Sequence, residues 1–175
     1  ETLDNPVYKV ASFEIVDIPL LERIGKTKKP VIMSRGMASV DEITLAIKTL
    51  RKVGTKHIVL LHCVSAYPAS PDNMNLSTIT DMRSHFGVQV GLSDHTLGTD
   101  VAVAAAALGA VVIEKHFTLR RKDGGPDSSF SLEPKEFAAL VSSVRLVEAA
   151  MGAPSYEESK SEKQNIVFRK SLFVV

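Results

Sequence analysis

Five short apolar runs rich in β-branched residues recur along this chain, separated by stretches with helical periodicity, and that alternation restricts the fold more than any other feature. The runs are Tyr8-Lys9-Val10-Ala11-Ser12, Pro30-Val31-Ile32-Met33-Ser34, His57-Ile58-Val59-Leu60-Leu61-His62, Val88-Gln89-Val90-Gly91-Leu92-Ser93 and Val111-Val112-Ile113-Glu114-Lys115-His116. Between them, Ile43, Ile47 and Leu50, and then Leu76, Ile79, Met82 and Phe86, fall at the three- and four-residue intervals of one helical face. An alanine-rich helix over 100–108 closes at Gly109, and Phe137, Leu140, Val141, Val144 and Val147 mark a last helix. Continuously apolar strands alternating with helices predict an α/β protein with a parallel sheet covered on both faces. Doubly wound sheets and (β/α) barrels both satisfy this pattern, and both put their active sites at the carboxyl ends of the strands.

The polar residues collect at those ends: Ser12 and Glu14, Ser34, His62 and Ser65, Ser93 and His95, and His116. Strand alternation points Ser93 and His95 to one side, with Asp94 on the other. His95 and His116 close the last two strands, which as neighbours lie about 4.8 Å apart, so both imidazoles can reach one divalent cation. A histidine pair with open positions suits Mn, Fe, Co or Zn better than Mg or Ca; the competing explanation is that each ring only hydrogen-bonds at its strand end. Glu14, between Phe13 and Ile15, is a candidate general acid or base, because apolar neighbours raise a carboxyl pKa; a salt bridge to a helix lysine explains it equally well. Lys9 could meet an anionic substrate, yet its parity differs from that of Ser12, so both face one site only if the strand end kinks. Tyr67, beyond Ser65, offers a ring and a hydroxyl to a sugar.

Twenty-one basic against 20 acidic residues leave a formal charge of +1, so nothing marks a nucleic-acid surface or a polybasic membrane anchor, and no nucleic-acid partner is expected. The single cysteine, Cys63, sits in an apolar run and reads as a buried thiol in a reducing compartment. No stretch approaches the roughly 20 apolar residues of a membrane span. The reading is therefore cytoplasmic, with no membrane partner. No glycine fingerprint for a dinucleotide or a P-loop is present, which argues against nucleotide cofactors.

Four ordered motifs carry a resemblance: Lys9-Val10-Ala11-Ser12-Phe13-Glu14-Ile15, Leu60-Leu61-His62-Cys63-Val64-Ser65-Ala66-Tyr67-Pro68, Gly91-Leu92-Ser93-Asp94-His95-Thr96-Leu97-Gly98, and Glu114-Lys115-His116-Phe117-Thr118-Leu119 followed by Gly125-Pro126-Asp127. Together they resemble the sialic acid (nonulosonate) synthase family, and Phe13 with the run 127–132 resembles its pseudaminic acid branch. The resemblance implies a (β/α)8 TIM barrel, of which residues 1–152 form the C-terminal part with about five strands. It implies that 153–175 is a linker to an antifreeze-like domain; the terminal Ser171–Val175 run is apolar and reads as strand-like from its residues. It also implies an enzyme that condenses phosphoenolpyruvate with an amino sugar, and a homodimer in the full-length protein.

By resemblance, His95 and His116 match the ligands of a divalent metal, Mn first, with Mg, Co or another divalent ion as alternatives. Lys9, Ser12, Ser65 and Ser93 match positions around phosphoenolpyruvate, Tyr67 and Asp127 positions near the sugar, and Glu14 the acidic residue beside the reacting carbons. Arg35 stands where the family has a small residue and is left outside the site. An isolated segment of this kind is expected to be inactive. The rival readings are a neuraminic or legionaminic acid synthase, a non-catalytic barrel or sugar-binding module, and a metal-dependent hydrolase.

Overall fold

The computed structural model describes residues 4–169; the Ser171–Val175 run lies outside them. Five parallel strands, β1 (Tyr8–Val10), β2 (Val31–Ser34), β3 (Ile58–Cys63), β4 (Gln89–Asp94) and β5 (Ile113–Lys115), pair in sequence order. Between them run α1 (Ile18–Gly25), α2 (Val40–Lys52), α3 (Thr78–Phe86) and α4 (Asp100–Ala107), followed by α5 (Pro134–Met151) and a four-residue α6 (Lys160–Lys163). Each helix begins or ends where local chemistry favours it. Asp17 accepts from the Leu20 amide at the start of α1, and Ser39 and Glu42 form a reciprocal capping box on α2. Gly87 closes α3 in the left-handed conformation. Pro134 opens α5, where its missing amide would be unpaired in any case.

The outer face of the sheet makes the main core. Val10, Val31, Met33, Leu60, Val90 and Leu92 are fully buried there against the helices. The inner face carries different chemistry, because Lys9, Ser34, Ser93 and Glu114 project from it. Four flat strand spacings would hold β1 and β5 about 19 Å apart. The Lys9 ammonium nevertheless stands 3.4 Å from a Glu114 carboxylate oxygen, so residues of the two edge strands meet across the concave face. The sheet is curled into half of a TIM-type (β/α) barrel, as the sequence implies. Gly91 faces this concavity, where a Cβ would strike the Val112 carbonyl and the Leu61 side chain.

Two boundaries differ from the sequence expectation. β1 stops at Val10, because the Glu14 amide turns back to the Ala11 carbonyl and the Asp17 amide to the Glu14 carbonyl. β5 begins two residues late, although the Val111 amide and the Val112 carbonyl still bond to β4. Residues 152–169 are exposed throughout and include α6, capped by Ser159. No helix among the described residues is long and apolar enough to cross a membrane.

Candidate active site

The carboxyl ends of the strands bring most of the expected residues together. Alternation along β4 turns Ser93 inward, where its hydroxyl donates to Glu114 at 2.7 Å. Lys9 donates to the Ser34 hydroxyl at 3.0 Å while pairing with Glu114, which sets a cation, a carboxylate and two hydroxyls around one small volume. Ser65 donates to Ser12 at 3.0 Å, joining the ends of β1 and β3. A turn follows Val10, where the Glu14 amide bonds back to the Ala11 carbonyl, and it ends the strand alternation between Lys9 and Ser12. Gly36 makes room for it: at φ +48° it lies against Ser12, and a Cβ there would collide with the serine side chain.

The two histidines stand at the rim. His95 is 6% exposed, and its Nδ1 lies 2.8 Å from the Val64 carbonyl. A carbonyl can only accept, so Nδ1 carries the proton and Nε2 presents its lone pair. His116 faces it with ring centroids 5.3 Å apart. Two imidazoles sharing one cation at about 2.1 Å, with roughly 90–109° between them, place their centroids about 4.6–5.3 Å apart. The pair therefore fits a divalent cation, and the hydrogen-bonded far nitrogen of His95 is the arrangement that orients such a ligand. Among the described residues no group of three or more His, Cys, Asp or Glu side chains assembles a metal site.

Tyr67 covers the pair, its ring 4.3 Å from that of His95 and 5.9 Å from that of His116. Partial burial first, then the nearby Cys63, Asp127 and Glu114 groups, push its phenol above the usual value, so the hydroxyl remains a donor at neutral pH. Phe130 packs edge-on against His116 at 5.0 Å. Asp127 Oδ2 lies 3.7 Å from His116 Nδ1, longer than a hydrogen bond. Its loop is tied down at the other end by Arg121, which donates to the Ser131 carbonyl and, through both terminal nitrogens, to Glu136 at 2.5 and 2.8 Å.

Glu14 departs from expectation. Its apolar neighbours do not bury it: Phe13 is 63% exposed, and the Glu14 carboxylate accepts from the Ala11 amide at 2.7 Å within the exposed turn. Residues adjacent in sequence point away from one another in a turn, so flanking hydrophobicity did not translate into an apolar environment. His62 is structural, accepting at Nδ1 from Arg35 Nε at 3.1 Å and donating from Nε2 to the Met74 carbonyl. Burial pushes its pKa down and keeps the ring neutral. Arg35 is thereby held on the outer face of the sheet, turned away from Lys9 and Ser93.

Glu114 is not singled out by the sequence reading, and Ser34 is noted there among the strand-end polar residues without a role. Glu114 lies two positions before His116, the spacing that relates Ser93 to His95, and the same parity argument would have turned it inward. Ser34 is inward by the register that sets it opposite Leu61.

Comparison with known proteins agrees with this geometry. The NeuB family matches residues 1–156. The N,N'-diacetyllegionaminic acid synthase of Campylobacter jejuni is 45% identical over 169 residues, covering 95% of this chain and 51% of its own length. The pseudaminic acid synthase of Helicobacter pylori is 42% identical over 177 residues, covering 100% of this chain and 52% of its own. The crystal structure of the N-acetylneuraminic acid synthetase of Leptospira borgpetersenii, in complex with citrate, superposes with a TM-score of 0.87 at 38% identity, over 98% of this chain and 60% of that one. The chain thus spans about half the length of the curated relatives. With its strand-end motifs in one cleft and the match running through residue 156, the chain belongs to the NeuB family of sialic acid synthases.

Proposed function

We propose that the intact protein is a nonulosonic acid synthase that condenses phosphoenolpyruvate with a 2,4-diacetamido-2,4,6-trideoxy hexose, giving pseudaminic acid and inorganic phosphate. The observation that carries this reading is the meeting of an anion-binding cluster, Lys9 with Ser34 and Ser93, and a histidine pair lidded by Tyr67 within one strand-end cleft. Lys9, Ser12, Ser65 and Ser93 hold the phosphate and carboxylate of phosphoenolpyruvate. His95 and His116 hold a divalent cation, Mn by preference, which when bound would polarise the open-chain sugar aldehyde, an effect worth several kcal/mol. Tyr67 and Asp127 meet the sugar, and Glu14 moves a proton beside the reacting carbons.

In this reading C3 of phosphoenolpyruvate forms the new bond to the aldehyde carbon, water adds at C2, and phosphate leaves with cleavage of its C–O bond. Alignment of the two substrates contributes up to roughly 7–11 kcal/mol. Glu114 keeps Ser93 and Lys9 oriented between turnovers by accepting from one and pairing with the other. The setting is a cytoplasmic homodimer with no nucleic-acid or membrane partner.

A second reading keeps the chemistry and changes the sugar, giving legionaminic or neuraminic acid. The nearly equal similarity to a legionaminic and a pseudaminic acid synthase favours carrying it alongside. Phosphate release from the intact protein, with Mn²⁺, phosphoenolpyruvate and a panel of amino sugars, tests both. Release that requires the pseudaminate-precursor stereoisomer of the trideoxy hexose and falls by about 100-fold or more in His95→Ala supports the first reading. Release only with N-acetylmannosamine or the legionaminate precursor moves the assignment to the second, and release with none of them rejects both.

A further inference from the structure

The residues that alternate with the site residues on β4 and β5 form a second polar cluster on the opposite face of the sheet. Asp94 and Lys115 lie opposite one another in the register, each one position before a rim histidine. Their side chains are 0% and 1% exposed, and Lys115 Nζ stands 2.7 Å from Asp94 Oδ2. Thr96 completes the set. Its amide and hydroxyl donate to Asp94 Oδ1 at 2.9 and 2.8 Å, and its carbonyl accepts from Lys115 Nζ at 2.5 Å. Both carboxylate oxygens are thus satisfied, and the ammonium has two acceptors.

A buried ion pair is a weak device for stability, because desolvation offsets most of the attraction, but it discriminates sharply among geometries. This one leaves little freedom to the segments it joins. Thr96 follows His95 directly, so Asp94 and Thr96 bracket that histidine from both sides, while Lys115, the residue before His116, bonds to both of them. The spacing of the two rings is set by backbone positions that these contacts fix.

We infer that Asp94, Lys115 and Thr96 are positioning residues for cation binding, a clasp on the outer face that holds His95 and His116 at their 5.3 Å separation on the inner one. The inference rests on the reading of the two histidines as cation ligands. None of the three touches the substrates, and their effect reaches the site only through the histidine backbones. Partners that orient metal ligands typically account for a 10- to 100-fold share of affinity.

The test is Mn²⁺ affinity of the intact protein, by calorimetry and by the electron paramagnetic resonance signal of free Mn²⁺. The variants are Asp94→Leu/Lys115→Met and Thr96→Val. The double variant replaces the ion pair by apolar side chains that need no partner, and Thr96→Val keeps the pair while removing one hydrogen bond. The double variant is expected to keep the wild-type denaturation midpoint and bind Mn²⁺ about 10- to 100-fold more weakly. Thr96→Val is expected to lose a fewfold, and activity in both should recover at high Mn²⁺. A folded double variant with wild-type affinity overturns the clasp. If that variant does not fold, Thr96→Val decides, and unchanged affinity there overturns it as well. A wild-type protein that holds no Mn²⁺ instead overturns the reading of the histidines beneath it.

Discussion

Two ion pairs flank the end of β5, alike in distance and opposite in setting. Asp94–Lys115 meets at 2.7 Å with both side chains sealed from water, whereas Arg121–Glu136 meets at 2.5 Å with 38% and 41% of the side chains exposed. The first joins two strands beneath the rim histidines; the second ties the loop carrying Asp127 to the start of α5. Similar distance does not mean equal consequence. Removing a partner from the buried pair strands a charge in a low dielectric, while removing one from the exposed pair returns the other to water.

The largest effect expected from this contrast is that of Lys115→Met alone. It leaves the Asp94 carboxylate buried with only the Thr96 donors, and a cost of about 3–5 kcal/mol in urea unfolding of the intact protein is expected. Adding Asp94→Leu should recover most of that loss, because the stranded charge goes with it. A single variant as stable as wild type would show that water or a neighbouring group reaches Asp94, and the distinction between the two pairs would collapse.

The fold was largely legible because strand alternation and helical spacing are local properties. The five runs, their parallel sense and the common face of Ser93 and His95 follow from neighbours within a few residues, whereas the barrel rather than a doubly wound sheet is implied only by the resemblance. What was not legible depends on curvature and register. Lys9 and Glu114 are 105 positions apart in sequence, and only a curled sheet brings them to 3.4 Å. Asp94 could be placed on the far face by parity, but its partner Lys115 requires the β4–β5 register, which no spacing rule supplies. The setting of Glu14 is illegible for the converse reason: its neighbours in sequence are not its surroundings, because a five-residue turn disperses them.

A middle-sized effect is expected at Arg121. Arg121→Ala removes the contacts to Glu136 and to the Ser131 carbonyl, while Ser131 still donates to the Asp127 carbonyl. Asp127 then loses its fixed approach to His116, and misplacement of about 1 Å can cost far more than the lost contact itself. The expectation is a KM for the amino sugar raised on the order of tenfold, with kcat and the KM for phosphoenolpyruvate changed less. Arg121→Lys should restore only part of this, since an ammonium cannot reproduce the two parallel bonds of the guanidinium. Equal changes in both KM values would mean that the loop serves the whole cleft rather than the sugar side.

The smallest effect belongs to the exposed pair's own contribution to stability, and acid resolves it. Hydrogen bonding from Arg121, and then from the Glu133 amide, holds the Glu136 carboxyl well below its usual 4.5, at about 2. A carboxyl whose pKa is lower in the folded chain stabilises the fold above its unfolded pKa. That contribution is complete above about pH 4.5 and fades as the pH falls towards 2, where the folded carboxyl also takes up a proton. Because the pair is more than a third exposed, solvent screens most of the nominal gain. Glu136→Gln should therefore lower the melting midpoint by about a degree or less at pH 7. Its difference from wild type should shrink further on acidification from pH 4.5 to 2, and in 0.5 M salt it should vanish. A gap that persists at pH 2, or that salt leaves untouched, would show that Glu136 acts through packing at the start of α5, and the two ion pairs would then differ less than their exposures imply.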